Sequence, residues 1–225
     1  MENCPIGDHP GQDGDHGRDV TDNDDSDGQD GFAFTRLDEN GLPLADQTSE
    51  DFLCVRDEVS GLVWQNKNFD IPRNIHYVDW QYRWRDTSGI NDGGDPGVAG
   101  SGGDPQCRPF NCPDPNNPDC DQYLAQCDTE TYLAAVNAET YCGFDDWRLP
   151  TIDELFTVAH MAERFRLVLP RFYHFFSWTQ TTNPLEPSEA WIVTENSTSR
   201  PIEFASNPKS GYSRVHAVRG GGAVQ

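Results

Sequence analysis

Apolar residues recur along this chain with two different periods, and each change of period marks an element. From Asp128 onward Tyr132, Leu133 and Val136 follow helical spacing, and Asp128 is placed to cap that helix. A second helix opens at Thr151. Thr151 and Glu154 have capping-box spacing, Pro150 stands just outside, and Ile152, Leu155, Val158 and Ala159 recur on one face. Between the helices lies Cys142-Gly143-Phe144-Asp145-Asp146-Trp147-Arg148-Leu149-Pro150, where Gly143 suits the left-handed close of a helix. Trp147 is expected in the core, with Arg148 satisfying nearby backbone carbonyls.

Shorter segments alternate with period two. Phe52–Arg56 and Gly61–Gln65 flank the turn Asp57-Glu58-Val59-Ser60 and predict a hairpin, with Trp64 in the core. Ser177–Thr182, Ala190–Thr194, Arg200–Ala205 and Ser213–Arg219 predict further strands. Residues 66–126 form a long irregular insert. Within it His76–Arg85 alternates strongly, and two readings are open. Trp80, Tyr82 and Trp84, with Trp178, could stack on the apolar faces of sugars, or they could pack inward as a strand's core face.

Composition changes this picture in two ways. Only 35% of the residues are hydrophobic while Gly and Pro are abundant, which favours a loop-rich α+β domain over a helical bundle. The formal charge of −22 repels nucleic acid and anionic membranes alike, and no run approaches the roughly 20 apolar residues of a membrane span. The chain has seven cysteines, and no paired Cys-x-x-Cys elements suggest zinc, so disulfides in an oxidising compartment are expected. Spacing does not determine their connectivity. The pairing we expect is Cys54–Cys142, Cys107–Cys127 and Cys112–Cys120, with Cys4 left over, either free or bonded to another chain.

Charge is concentrated at the start. Residues 1–31 hold nine Asp, one Glu, one Arg and no Lys, and too few apolar residues for a core of their own. Asp13, Asp15, Asp19, Asp22, Asn23, Asp24, Asp25, Asp27 and Asp30 recur at short intervals with Gly at the bends. Calcium takes about six to eight oxygen ligands, and such loops can wrap oxygens around one ion. Asn23-x-Asp25-x-Asp27-Gly28 opens like an EF-hand, but its twelfth position is Phe34 rather than Glu. The segment more closely resembles a thrombospondin type 3 repeat, through Asn3-Cys4-Pro5, Gln12-Asp13-Gly14-Asp15, Gly17-x-Asp19 and Asp22-Asn23-Asp24, with Thr21 where that repeat has a second Cys. The resemblance implies calcium held by Asp side chains and backbone carbonyls.

A second resemblance covers about residues 33–220. Gly61-Leu62-Val63-Trp64-Gln65, Cys127-Asp128-Thr129, Val136-Asn137, Cys142 to Thr151, Ser177-Trp178-Thr179, Ala190-Trp191-Ile192-Val193 and Val215-His216-Ala217-Val218-Arg219 resemble the DUF1566 domain, also called the C-terminal domain of Legionella collagen-like adhesins. The resemblance implies a C-type-lectin-like fold with two helices, short antiparallel strands and long disulfide-pinned loops, carried by bacterial surface and secreted proteins, some of which bind glycans. Two departures are visible: Ser177-Trp178-Thr179 replaces Trp-Ser-Ser, and His216 replaces a late Cys. The division expected is an acidic calcium-binding segment (1–31), a lectin-like domain (32–220) and a C-terminal tail (221–225). No nucleophile elbow, His-Glu-x-x-His helix or late reactive Cys is present. The sequence therefore reads as a non-enzymatic, extracellular or surface-displayed adhesion and assembly module. Calcium is its cofactor, a glycan or surface protein its ligand, and self-association runs through the N-terminal segment; the alternative is a subunit of an extracellular fibre.

Overall fold

The computed structural model describes residues 33–67, 75–78, 80–100, 127–164, 176–195 and 202–220. The acidic segment 1–31, the C-terminal tail, and Cys107, Cys112 and Cys120 lie outside the described residues. Among the described residues the fold is α+β, with two helices and two small antiparallel sheets.

The first sheet joins β1 (Phe34–Leu37), β2 (Cys54–Asp57), β3 (Val63–Gln65) and β7 (Val218–Arg219) in that order. The β2–β3 hairpin pairs Val55 with Trp64, and Trp64 faces Val218 across the next ladder. Side chains alternate across a strand, so Val55, Trp64 and Val218 share one face. They enter one apolar cluster with Leu155, Val158 and Ala159, while Cys54, Val63 and Ala217 enter the other with Trp80, Tyr82 and Trp84. The sheet is thus a wall between two cores, which explains why β3 is buried along its whole length.

The second sheet, β4 (Phe176–Thr182), β5 (Glu189–Glu195) and β6 (Ile202–Pro208), is a meander with an irregularity between Trp178 and Thr182. Helix α1 (Thr129–Ala138) starts at Asp128, whose carboxylate accepts from Thr131 N at 2.8 Å. Helix α2 (Ile152–Arg164) starts at the expected box: Thr151 N donates to Glu154 Oε2 at 2.8 Å and Glu154 N to Thr151 Oγ1 at 3.2 Å.

The linker between the helices contains a 3₁₀ turn, Tyr141–Gly143. Its backbone runs through three left-handed residues, Thr140 at φ 49°, Cys142 at φ 54° and Gly143 at φ 74°. Only Gly143 accepts that conformation freely, and a Cβ there would lie 2.8 Å from Asn40 O. Trp147 is core, as the sequence suggested; its indole N–H donates to Tyr141 O at 3.0 Å and its backbone is held both ways by the Asn137 amide. Arg148 does reach two carbonyls, Leu149 O and Gly220 O, each at 3.1 Å. It also grips Glu154 with both arms, at 2.8 and 2.7 Å.

The segment 76–85 is not a regular strand. Its start lies in a turn, with Trp80 N donating to Tyr77 O at 3.3 Å, and beyond it single bridges tie Tyr82 to Ser213, Arg83 to Asp128 and Arg85 to Gly97, so no continuous ladder forms among the described residues. The predicted strand Ser213–Arg219 likewise narrows to Val218–Arg219.

Candidate functional site

The alternating rings of the insert settle where a sugar could have met them. Trp80 is 1% exposed, and Tyr82, Trp84 and Trp178 are 0% exposed. Their polar edges are also spent: Trp84 Nε1 donates to Thr179 O at 2.8 Å, and Trp178 Nε1 to Tyr82 O at 2.7 Å. Of the two readings open for Trp80, Tyr82, Trp84 and Trp178, the burial fits the inward-packed one and not the stacking role. Buried rings offer no face to a ligand, and these four join the second sheet to the insert.

Cys54 and Cys142 form a disulfide spanning a sequence separation of 88, which ties β2 to the turn after α1. Cys127 is also disulfide-bonded, with its partner outside the described residues. Among the described residues no group of three or more His, Cys, Asp or Glu is placed to hold a metal ion; the Asp-rich segment from Asp13 to Asp30 lies outside them.

Two polar features went unread in the sequence. The first is a buried hydrogen-bonded chain on the disulfide side of the first sheet. Lys67 Nζ donates to Tyr132 Oη at 2.5 Å, Tyr132 Oη–H to Gln65 Oε1 at 2.6 Å, and the Gln65 amide N–H to His76 Nδ1 at 2.6 Å. His76 Nε2 completes it at Glu139 Oε2, 2.8 Å away. Burial pushes the His76 imidazole down to about 4, and the Lys67 charge adds to the shift, against the opposing pull of Glu139. Burial also pushes the Lys67 ammonium well down and the Tyr82 and Tyr132 phenols well up. The Lys67 ammonium lies 4.3 Å from the Tyr132 ring centroid. His76 stacks on Tyr141 at 4.0 Å, so the chain is packed as well as bonded.

The family model of the Lcl C-terminal domain matches residues 53–219, about three quarters of the chain and all of the elements from β2 onward. The chain belongs to the Lcl C-terminal domain family. That membership points to an adhesin-like bacterial surface protein, and the Cys54–Cys142 disulfide fits an extracellular location. No match was found among curated proteins. No helix of the described residues is long and apolar enough to cross a membrane. Two polar side chains meet inside this Lcl domain: Ser177 Oγ and His216 Nδ1 lie 2.9 Å apart, both buried.

The second unread feature of the Lcl domain is on its surface. A depression of about 260 Å³ opens between the loop around Ile90–Gly93 and the β4–β5 turn, with Thr181, Thr182, Pro184 and Pro187 in its lining. Thr182 Oγ1 donates to Asn91 O at 2.5 Å across it. The loop is anchored from below by Lys209, a buried side chain whose ammonium donates to Asp92 O at 2.7 Å and Asp95 O at 2.5 Å and lies 4.1 Å from the Trp84 ring centroid. No residue of the lining is charged. Sequence periodicity had no means of finding this site, because its two halves are some ninety positions apart and meet only through tertiary packing. A second cavity of about 210 Å³ lies between Phe34, Leu62, Trp64 and the first turns of α2.

Proposed function

We propose that this chain is a non-enzymatic, calcium-binding adhesion and assembly module of the bacterial surface, with a C-type-lectin-like body. The observation that carries this reading is membership of the Lcl C-terminal domain family over residues 53–219. A domain locked by a long-range disulfide is suited to an oxidising exterior. The ligand, a glycan or a surface protein, binds away from Trp80, Tyr82, Trp84 and Trp178.

Calcium belongs to the N-terminal segment. Asp13, Asp15, Asp19, Asp22, Asn23, Asp24, Asp25, Asp27 and Asp30 supply hard oxygen ligands, and bound cations offset the repulsion among closely spaced carboxylates. Calcium titrated calorimetrically into the full chain is expected to give saturable heat that an Asp22→Asn, Asp24→Asn, Asp27→Asn variant loses. No calcium heat in the wild type would remove the calcium half of the proposal. A glycan array and a surface-binding assay with the same chain test the adhesive half.

The odd cysteine count favours a second reading, a fibre subunit in which Cys4 and the acidic segment join neighbouring copies. Light scattering separates the two. A monomer both with and without EDTA, under oxidising conditions, excludes polymerisation.

A further inference from the structure

We propose that the depression between the Ile90–Gly93 loop and the β4–β5 turn is a docking site for a basic, apolar polypeptide segment of a partner protein. The inference rests on the adhesive reading above and names the chemistry of the partner.

Two side chains open the argument. Ile90, which lines the depression, is 80% exposed, and Leu185, beside the lining residue Pro184, is 91% exposed. Isolated exposed apolar residues are ordinary. Ile90 lines the depression and Leu185 adjoins its lining residue Pro184, and both of their loops are held by several hydrogen bonds. The first is held by Lys209 on the carbonyls of Asp92 and Asp95, by Thr182 on the carbonyl of Asn91, and by Asp92 and Asp95 carboxylates accepting from Gly94 N and Gly97 N at 2.9 Å. The second is held by Glu186 N on Asn183 O at 3.2 Å, Glu189 N on Glu186 O at 2.9 Å, and Leu185 N on Asn183 Oδ1 at 3.1 Å. Loops fixed in this way cannot fold Ile90 and Leu185 inward. Rigid apolar knobs beside a pocket lose little conformational entropy on binding, which is the signature of a preorganised contact.

Charge selects the partner. The lining is neutral, but Asp86, Asp92 and Asp95 lie along the first loop, Glu186 lies in the second and Glu189 opens β5, while the buried Lys209 donates to two carbonyls of the first loop. Asp86, Asp92 and Asp95 accept from Ser88 N, Gly94 N and Gly97 N, Glu186 accepts from Ser188 Oγ, and Glu189 accepts from the Asn183 amide and Ser206 Oγ. A second copy of this chain would bring the same acids face to face, within a molecule of net charge −22, so self-pairing through this patch is opposed. A segment with leucine-like side chains for the depression and Lys or Arg for the rim fits both the apolar and the electrostatic pattern. Apolar anchors would carry the affinity and the rim acids the rate and selectivity of association.

The test is calorimetric titration of the full chain, at about 0.15 M salt, with three synthetic peptides of one length: alternating Leu and Lys, alternating Ser and Lys, and alternating Leu and Glu. The Leu–Lys peptide is expected to bind. The Ile90→Ser, Leu185→Ser double variant is expected to weaken it by roughly tenfold or more, as loss of a central anchor does, and Glu186→Lys to weaken it further with a smaller salt dependence. Both sites are exposed, so the near-ultraviolet circular dichroism of these variants should match the wild type. Equal binding of the Ser–Lys peptide would reduce the effect to bulk charge and overturn the proposal, as would a double variant that binds undiminished. A panel of methyl hexosides shifting the Thr181 and Asn91 amide resonances, where the peptide shifts none, would reassign the depression to sugar. If the peptide fails while the chain still attaches to surfaces, only this inference falls. If attachment fails too, the adhesive reading falls with it.

Discussion

Gln65 gives the buried chain its direction. An amide has a donor end and an acceptor end; its oxygen takes the Tyr132 proton, so its nitrogen must donate to His76 Nδ1. His76 is therefore the neutral tautomer with its proton on Nε2, facing Glu139. Protonating Nδ1 would set two donors against each other, and burial beside Lys67 opposes the charge as well. The folded imidazole titrates near 4, below the unfolded value near 6.5. The unfolded state thus binds more protons between those limits, and the His76 contribution is complete above about pH 6.5 and lost as pH falls toward 4. Urea unfolding of wild type and His76→Gln at pH 7 and pH 4.5 should show the wild type losing about 2–3 kcal/mol more than the variant. Equal losses would mean that the ring is solvated. Arg148 makes a second argument at this scale. Burial alone would raise the Glu154 carboxyl, but the Arg148 and Thr151 hydrogen bonds hold it below the usual carboxylate range. Lysine at 148 keeps the charge and forfeits the fork, so Arg148→Lys should cost about 2 kcal/mol in urea unfolding at pH 7.

At the scale of elements, the Ile90–Gly97 loop is held in place by one cation. Lys209 follows β6, and its ammonium occupies a position between two carbonyls that would otherwise need another donor. Lys209→Met keeps most of the stem over Trp84 and removes the donors. Amide exchange in the loop is expected to quicken by roughly tenfold or more, since each hydrogen bond from a charged donor contributes about 1.5–3 kcal/mol. The sheets should stay protected, and an unchanged loop would show that Thr182 and the Asp92 and Asp95 caps anchor it without the lysine. None of this was legible in the sequence, where a lysine reads as solvent-facing until packing across more than a hundred positions buries it. Helices were legible because their signals are local: Asp128 and the Thr151–Glu154 box mark both starts. The hairpin around Asp57–Ser60 was legible for the same reason. The period-two run from His76 to Arg85 was informative in its burial and misleading in its pairing. Trp80, Tyr82 and Trp84 do share an inward face, but their neighbours are irregular segments, so the alternation produced a core rather than a ladder. Exposure was the property that separated a sugar platform from a core, and alternation alone carries no information about it.

For the whole molecule, the order of assembly follows from how the two cores are divided. The wall of β1, β2, β3 and β7 contributes Val55, Trp64 and Val218 to the core under α2, and Cys54, Val63 and Ala217 to the core under the insert. The α2 core contains no cysteine, whereas the insert core is crossed by the Cys54–Cys142 bond, whose two sulfurs belong to residues almost fully buried. That bond joins the wall to the linker in which Thr140 and Cys142 hold left-handed backbone angles that non-glycine residues resist. A loop with a sequence separation of 88, closed in the unfolded chain, removes conformational freedom equivalent to about 4.6 kcal/mol on the loop-entropy account. The Cys54→Ala, Cys142→Ala variant should therefore unfold at lower urea by roughly that amount. The loss should not fall evenly. Hydrogen exchange should quicken first at Tyr141–Phe144 and along the Lys67–Glu139 chain, whose Glu139 end lies three residues before Cys142, while amides of α2 and β3 that face the packed core hold until global unfolding. Uniform loss of protection across both cores would mean that the wall does not separate them and that the domain unfolds as one cooperative unit.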